Sequence, residues 1–145
     1  MSRPTTVVFG TLPHGYDARA VCRWLDSYGY RDLYDIVHVP MLSRDGNRGY
    51  AFVNFLEAKV ALTFFRSPPW RSLSKPWTSW ATVQGYSQML RHLKHSGALN
   101  AFSHYTSMPV ILPIRVQSIG TARRAVMSAA EGAAECADPR SPMRV

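Results

Sequence analysis

One stretch of eight residues limits the folds open to this chain more than any other. It runs Arg-Gly-Tyr-Ala-Phe-Val-Asn-Phe from position 48 to position 55. Side chains of a β-strand point alternately to opposite faces, so Ala51, Val53 and Phe55 form an apolar, core-facing side. The other side carries Arg48, Tyr50, Phe52 and Asn54. Two aromatic rings and a guanidinium on a solvent face are typical of a surface that binds a flat, anionic ligand.

The same eight residues match the octamer of the RNA recognition motif (RRM) at every specified position. In such domains, bases stack on the strand's rings and arginine pairs with phosphate. We therefore predict that Arg48, Tyr50 and Phe52 contact single-stranded RNA, with Asn54 in the floor of the platform. The alternative is a strand buried on both faces with a bulge at Gly49. An arginine at one end and an asparagine inside argue against it.

Residues 7–12 resemble the second RRM signature, a first strand that lies beside the octamer strand. Val7 and Phe9 are expected to face the core, which leaves Val8 on the RNA side. Many RRMs carry an aromatic residue there. Val8 is therefore predicted to contact RNA as an apolar floor without a stacking ring.

The order of elements predicts the fold. Helices are predicted at 18–28 and 57–66, and strands at 5–11, 33–41, 48–55 and 77–84. This order indicates an α+β, ferredoxin-like RRM (βαββαβ), a four-stranded antiparallel sheet with two helices on one face. Asp17 is the expected N-cap of the first helix. Which alternate residues of the second strand face the core stays open, because one choice buries Asp35 and the other buries His38.

A C-terminal extension is predicted beyond the fourth strand. Residues 87–95 have helical spacing, and the basic side of this helix makes Arg91 and Lys94 candidate phosphate contacts. Residues 98–113 are apolar and are expected to pack against the domain. The predicted domain spans residues 1–113. Its RRM core lies at about 5–85 and its C-terminal extension at about 86–113. An Ala/Arg-rich tail at 114–145 is predicted to be mobile.

Composition narrows the functional class. The net charge of +8 favours a polyanionic partner without choosing among RNA, DNA and an acidic protein. The chain has no apolar run of about eighteen residues and no signal-peptide core, which predicts an intracellular protein without a membrane span. Walker, G-x-S-x-G and H-E-x-x-H motifs are absent, so no enzyme is predicted. No cofactor or metal is predicted either: Cys22 and Cys136 lack zinc-site spacing, and His92 and His95 lack a neighbouring ligand residue.

Several segments together resemble the C-terminal RRM of the Mei-two-like family, RNA-binding regulators of meiosis and growth. The resemblance covers about residues 5–113. The matching residues are Thr5-Thr6-Val7-Val8, Leu12-Pro13, Tyr16, Tyr34-Asp35-Ile36, Pro40, Asn47, positions 49–55, Trp70, Ala81, Val83-Gln84-Gly85, His92 and Ser96. The resemblance implies RNA binding, a nuclear or nucleocytoplasmic setting and a helical extension after the fourth strand.

These observations predict a single RRM that binds single-stranded RNA on its sheet without catalysis. The alternative is an RRM-like protein-interaction module whose sheet is capped by residues 98–113. A protein partner at the helices or the extension is a further candidate. Trp70, Trp77 and Trp80 are either base contacts at the sheet edge or core and loop anchors.

Overall fold

The structure is a computed structural model of the chain and describes residues 3–42, 46–67, 69, 75–99 and 108–112. In chain order, the elements formed by these residues are β1 Thr6–Gly10, α1 Ala18–Ser27, β2 Tyr34–His38, β3 Tyr50–Phe55, α2 Ala58–Arg66, β4 Trp77–Trp80, α3 Tyr86–His95 and β5 Val110–Ile111. The strands pair antiparallel in one sheet, in the order β4-β1-β3-β2-β5. The predicted α+β fold with βαββαβ order is confirmed.

Strand β5 is an addition that the sequence pattern does not predict. Val110 pairs with Val37 and Ile111 pairs with Ile36, so the sheet has a fifth strand beside the four expected. This part of the apolar segment 98–113 therefore extends the edge of the sheet. The proposed tail at 114–145 lies outside the described residues, and the division of the chain at residue 113 stays a prediction.

The main core lies between the sheet and helices α1 and α2. The large side chains that these helices bury are Val21, Trp24, Leu25, Val60 and Phe64. The Phe64 ring is at the centre, with its centroid 5.4 Å from that of Phe9 and 5.0 Å from that of Phe55. It also lies 5.4 Å from the ring of Tyr30 and 6.5 Å from that of Trp24. This aromatic cluster occupies the helical side of the sheet, so α1 and α2 cover that face of the strands.

A β-bulge decides the parity of β2. The register against β3 shifts between Tyr34 and Ile36, so one extra residue enters the strand there. Tyr34 and Val37 consequently both face the main core, while Ile36 belongs to a second cluster on the opposite face. Asp35 lies in the bulge and is only 2% exposed. The sequence alone leaves open whether Asp35 or the half-buried His38 points inward, because simple alternation does not hold across a bulge.

Helix α1 begins as the sequence predicts. Asp17 has an extended backbone, and its carboxylate accepts a hydrogen bond from the backbone N–H of Ala20 at 2.9 Å. This is the N-cap interaction, which satisfies one of the free donors of the first turn. None of the described helices is long and apolar enough to cross a membrane.

Candidate nucleic-acid interface

The sheet face opposite α1 and α2 carries the predicted site in three rows of cross-strand neighbours. Residues directly opposite each other in antiparallel strands present their side chains to the same face. The outer row contains Trp77, Gly10 and Tyr50, the middle row contains Ser79, Val8, Phe52 and His38, and the inner row contains Thr6, Asn54 and Ile36. The three rows differ in what covers them.

Tyr50 and Arg48 lie at the outer end of this face, where β3 begins. Tyr50 is half-buried and Arg48 is exposed. The predicted alternation does not reach Arg48, because Gly49 has a φ of +94°, a conformation that favours glycine. The Gly49 carbonyl accepts hydrogen bonds from the backbone N–H groups of Thr11 at 3.0 Å and Leu12 at 3.1 Å. Arg48 therefore precedes β3 and belongs to none of the three rows.

The middle row pairs Val8 with Phe52, and both side chains are half-buried. The Phe52 ring meets the Tyr50 ring edge-on, with centroids 5.7 Å apart and an interplanar angle of 78°. On its other side it stacks on His38 at 6.0 Å and 21°. The predicted ring pair is thus present, and Val8 lies beside it on β1 as an apolar surface.

Helix α3 covers the β2 side of the same face. Ile36, Met89 and Leu93 are buried together there. The partly buried residues packed against them are Phe52, Val83, Tyr86, Leu90, Ala98, Leu99 and Ile111. Among the described residues, the cover comes from α3 together with Ala98, Leu99 and Ile111 of the segment 98–113, whose covering of the sheet the sequence leaves open as an alternative. Phe52 packs against this cluster, so its ring is only partly exposed. None of the outer-row residues is among the described members of the cluster.

The sequence predicts that Asn54 lies on the exposed face of β3, but in the structure its side chain is buried. Its side chain is 3% exposed, and its amide oxygen accepts hydrogen bonds from the hydroxyls of Thr5 and Thr6, both at 2.7 Å. Its amide nitrogen donates to a carboxylate oxygen of Asp35 at 2.8 Å. Asn54 therefore links β1, β2 and β3 within the protein, and this geometry does not support its predicted contact with RNA. Simple alternation does place it on the correct face but gives no information on its partners.

The same polar network continues to the start of α3. The Gln84 side-chain oxygen accepts from the backbone N–H groups of Thr5 and Thr6, both at 2.9 Å. Its amide nitrogen donates to the carbonyls of Thr6 and Ala81, both at 2.8 Å. The N–H of Gly85 donates to the Thr6 hydroxyl at 3.0 Å. Strand β4 ends earlier than predicted, and the Gln84 side chain replaces its pairing with β1 and anchors α3 beside the sheet.

Two titratable groups on this face have altered pKa values. Burial raises the pKa of Asp35 from 3.8 to about 6, although hydrogen bonds from Asn54 and from backbone N–H groups oppose the shift. Burial lowers the pKa of His38 from 6.5 to about 4, and repulsion from His92 adds to this. His38 is therefore neutral at pH 7, and its Nδ1 has no hydrogen-bond partner among the described residues.

Arg91 and Lys94 are both exposed on α3. His92 and His95 are exposed on the same helix. Within the described part of the chain, no group of three His, Cys, Asp or Glu side chains is arranged to hold a metal ion. The basic helix side predicted from the sequence is thus present and accessible.

The tryptophans of β4 separate into two environments. Trp80 lies on the helical side, where its ring stacks on Phe65 at 4.4 Å and 4°. Trp77 lies on the opposite side in the outer row, and 44% of it is exposed. Trp70 lies outside the described residues. Alternation along β4 separates Trp77 from Trp80, and it is the sequence signal that distinguishes a core anchor from a surface ring.

The βαββαβ order and the octamer on a central strand define the class of this domain: it has the RRM fold. No family model matches the chain. It is similar to Protein MEI2-like 1 of Arabidopsis thaliana, with 24% identity over 68% of this chain and 11% of that protein. It is also similar to Protein MEI2-like 3 of Oryza sativa subsp. japonica, with 23% identity over 66% of this chain and 11% of that protein.

A solved structure with a similar fold is the second RRM domain of the yeast poly(U)-binding protein Pub1. That domain is 20% identical, covers 57% of this chain and 99% of its own chain, and has a TM-score of 0.41. The chain thus has the order of elements of an RRM fold, and about two thirds of it is similar in sequence to Mei2-like proteins. The match spans only 11% of the length of the two plant relatives.

Proposed function

We propose that this domain binds single-stranded RNA, without catalysis, on the part of its sheet that α3 leaves open. The observation that carries the proposal is the half-buried Tyr50 ring on the part of the face outside the α3 cluster, two residues after the exposed Arg48. A ring stacks on any nucleobase and an arginine pairs with phosphate. Val8 provides an apolar floor, and Phe52 contributes the part of its ring that α3 does not cover. The net charge of +8 favours approach of a polyanion.

The resemblance to Mei2-like proteins suggests a cellular role for this RNA binding. It supports a role in post-transcriptional regulation of meiosis or growth, in a nuclear or nucleocytoplasmic setting.

A second candidate function is an RRM-like protein-interaction module. It is favoured by one observation, the packing of α3 on Ile36 and Phe52, which closes the β2 side of the sheet. In that case the sheet does not bind RNA, and the helices or the extension bind a protein partner. Dependence of RNA affinity on Tyr50 separates the two functions.

Tyr50→Ala is expected to weaken binding of single-stranded RNA by about 5- to 150-fold, because a base–aromatic stack contributes about 1–3 kcal/mol. Tyr50 is half-buried and lies outside the main core, so the fold is expected to persist. The measurement is fluorescence anisotropy with a labelled, randomised single-stranded RNA pool, together with the melting temperature of each protein.

Phe65→Ala is the matched control, because it removes a ring from the helical side of the sheet. It is expected to leave RNA affinity unchanged. No binding by the wild-type protein, or equal affinity of Tyr50→Ala and wild type, would favour the protein-interaction module.

The basic side of α3 gives a prediction about salt. Each phosphate contact on a single strand contributes about −0.7 to the slope of log affinity against log salt. Arg91→Gln with Lys94→Gln is therefore expected to reduce the magnitude of that slope by about 1.4. The control removes the same charge from exposed positions of α1 and α2, through Arg23→Gln with Lys59→Gln. Equal slopes for the two double variants would assign Arg91 and Lys94 to solvent.

A further inference from the structure

The outer row contains an aromatic surface that the octamer strand does not supply. Trp77 is the first residue of β4, and 44% of it is exposed. It pairs with Gly10 of β1, and Gly10 in turn pairs with Tyr50 of β3. Trp77 and Tyr50 therefore present rings to the same face, on either side of a residue without a side chain.

Gly10 makes room for the indole of Trp77. A Cβ atom at position 10 would collide with the Nε1, Cε2 and Cζ2 atoms of that indole. The ring therefore leans over the backbone of β1 and does not project away from the sheet edge. Trp77 is a residue of an edge strand, but its ring is part of the face that also carries Tyr50.

Two exposed cations precede the outer row in the chain, one before each ring. Arg48 lies two residues before Tyr50 on the β3 side, and Lys75 lies two residues before Trp77 on the β4 side. The Lys75 carbonyl accepts a hydrogen bond from the Thr11 hydroxyl at 2.8 Å, which ties this segment to the end of β1. The segments that lead into the outer row therefore carry the charge that phosphate requires.

We propose that the outer row binds two nucleobases of a single-stranded RNA, one on Tyr50 and one on Trp77. Arg48 and Lys75 neutralise the neighbouring phosphates. Strands β3 and β4 are separated by β1, which places the two Cα atoms about 9.5 Å apart. Trp77 thus supplies from β4 the second ring that Val8 does not supply from β1. This inference rests on the proposed RNA-binding function and adds a specific second stacking site to it.

The test uses the full chain and the same labelled RNA pool. Trp77→Val keeps a residue suited to a strand but removes the ring, and it is expected to weaken binding by about 5- to 150-fold. Trp77→Phe keeps a ring and is expected to retain most of the affinity. Gly10→Ala leaves the indole in the protein but displaces it from β1, and it is expected to weaken binding in the same direction.

The combined variant Gly10→Ala with Trp77→Val tests whether the two residues act together. Its affinity is expected to match that of Trp77→Val alone, because the added methyl group has no ring left to displace. Wild-type affinity in a folded Trp77→Val protein, measured beside a weakened Tyr50→Ala, would overturn the second stacking site and leave the proposed function intact. Absence of RNA binding by the wild type would overturn both.

Discussion

Replacing Phe64 with alanine is expected to lower the free energy of unfolding by about 3–5 kcal/mol, the usual range for a fully buried phenylalanine. Phe64 is 0% exposed. Rings from β1, α1, the segment after α1, and β3 surround it, namely Phe9, Trp24, Tyr30 and Phe55. Closely packed rings collapse poorly into a vacated space, so most of the cavity is expected to remain. Urea unfolding followed by circular dichroism measures the change.

The neighbouring residue provides the control. Phe65 is half-buried, and its stacking contact is with Trp80. Phe65→Ala is expected to lower the free energy of unfolding by about 1–2 kcal/mol, because less apolar area and one ring pair are lost. Similar losses for the two variants would contradict a core centred on Phe64.

The octamer strand shows which part of the fold can be predicted from local pattern. Its alternation predicts that Ala51, Val53 and Phe55 face the core, and all three are buried. It also places Tyr50 and Phe52 together on the opposite face, where their rings are in contact. Period-two alternation is a property of the strand itself, so no knowledge of distant residues is needed.

The same strand also shows where local pattern fails. Gly49 is visible in the sequence, but its positive φ is not, and that angle removes Arg48 from the strand. Asn54 is on the predicted face, but its partners come from residues 19 and 48 positions away, Asp35 and Thr6. Contacts of this kind depend on how distant segments meet, which one strand's periodicity does not encode.

The position of α3 over the sheet and the orientation of the Trp77 ring also depend on contacts between residues that are distant in the sequence. Helix α3 is visible as an amphipathic pattern, but its position over Ile36 depends on the hydrogen bonds of Gln84 and Gly85 to Thr6. The orientation of Trp77 depends on a glycine opposite it on another strand. The sequence therefore predicts the fold and the ring pair, whereas the accessible part of the site requires the packed structure.

Asn54→Ala is expected to lower the free energy of unfolding by about 2–4 kcal/mol at pH 7, because it removes the partner of a buried carboxylate and of two hydroxyls. The Asp35 carboxylate then keeps only its backbone hydrogen bonds. The hydroxyls of Thr5 and Thr6 also lose their acceptor. Urea unfolding measures this loss, with Ser79→Ala, at an exposed position of the same face, as the control.

The pH dependence of this loss tests its cause. The folded-state pKa of Asp35, about 6, lies above its ordinary value of 3.8, so the folded protein binds more protons between these values. Stability therefore falls as pH rises through this window. The Asn54 hydrogen bond lowers the pKa of Asp35, so its removal raises that pKa further and extends the fall above pH 6. The loss caused by Asn54→Ala is consequently expected to be larger at pH 8 than at pH 4. In an Asp35→Asn background, which has no carboxylate, the loss should be equal at the two pH values. A pH-dependent loss that persists there would mean that another titrating group, and not Asp35, responds to Asn54.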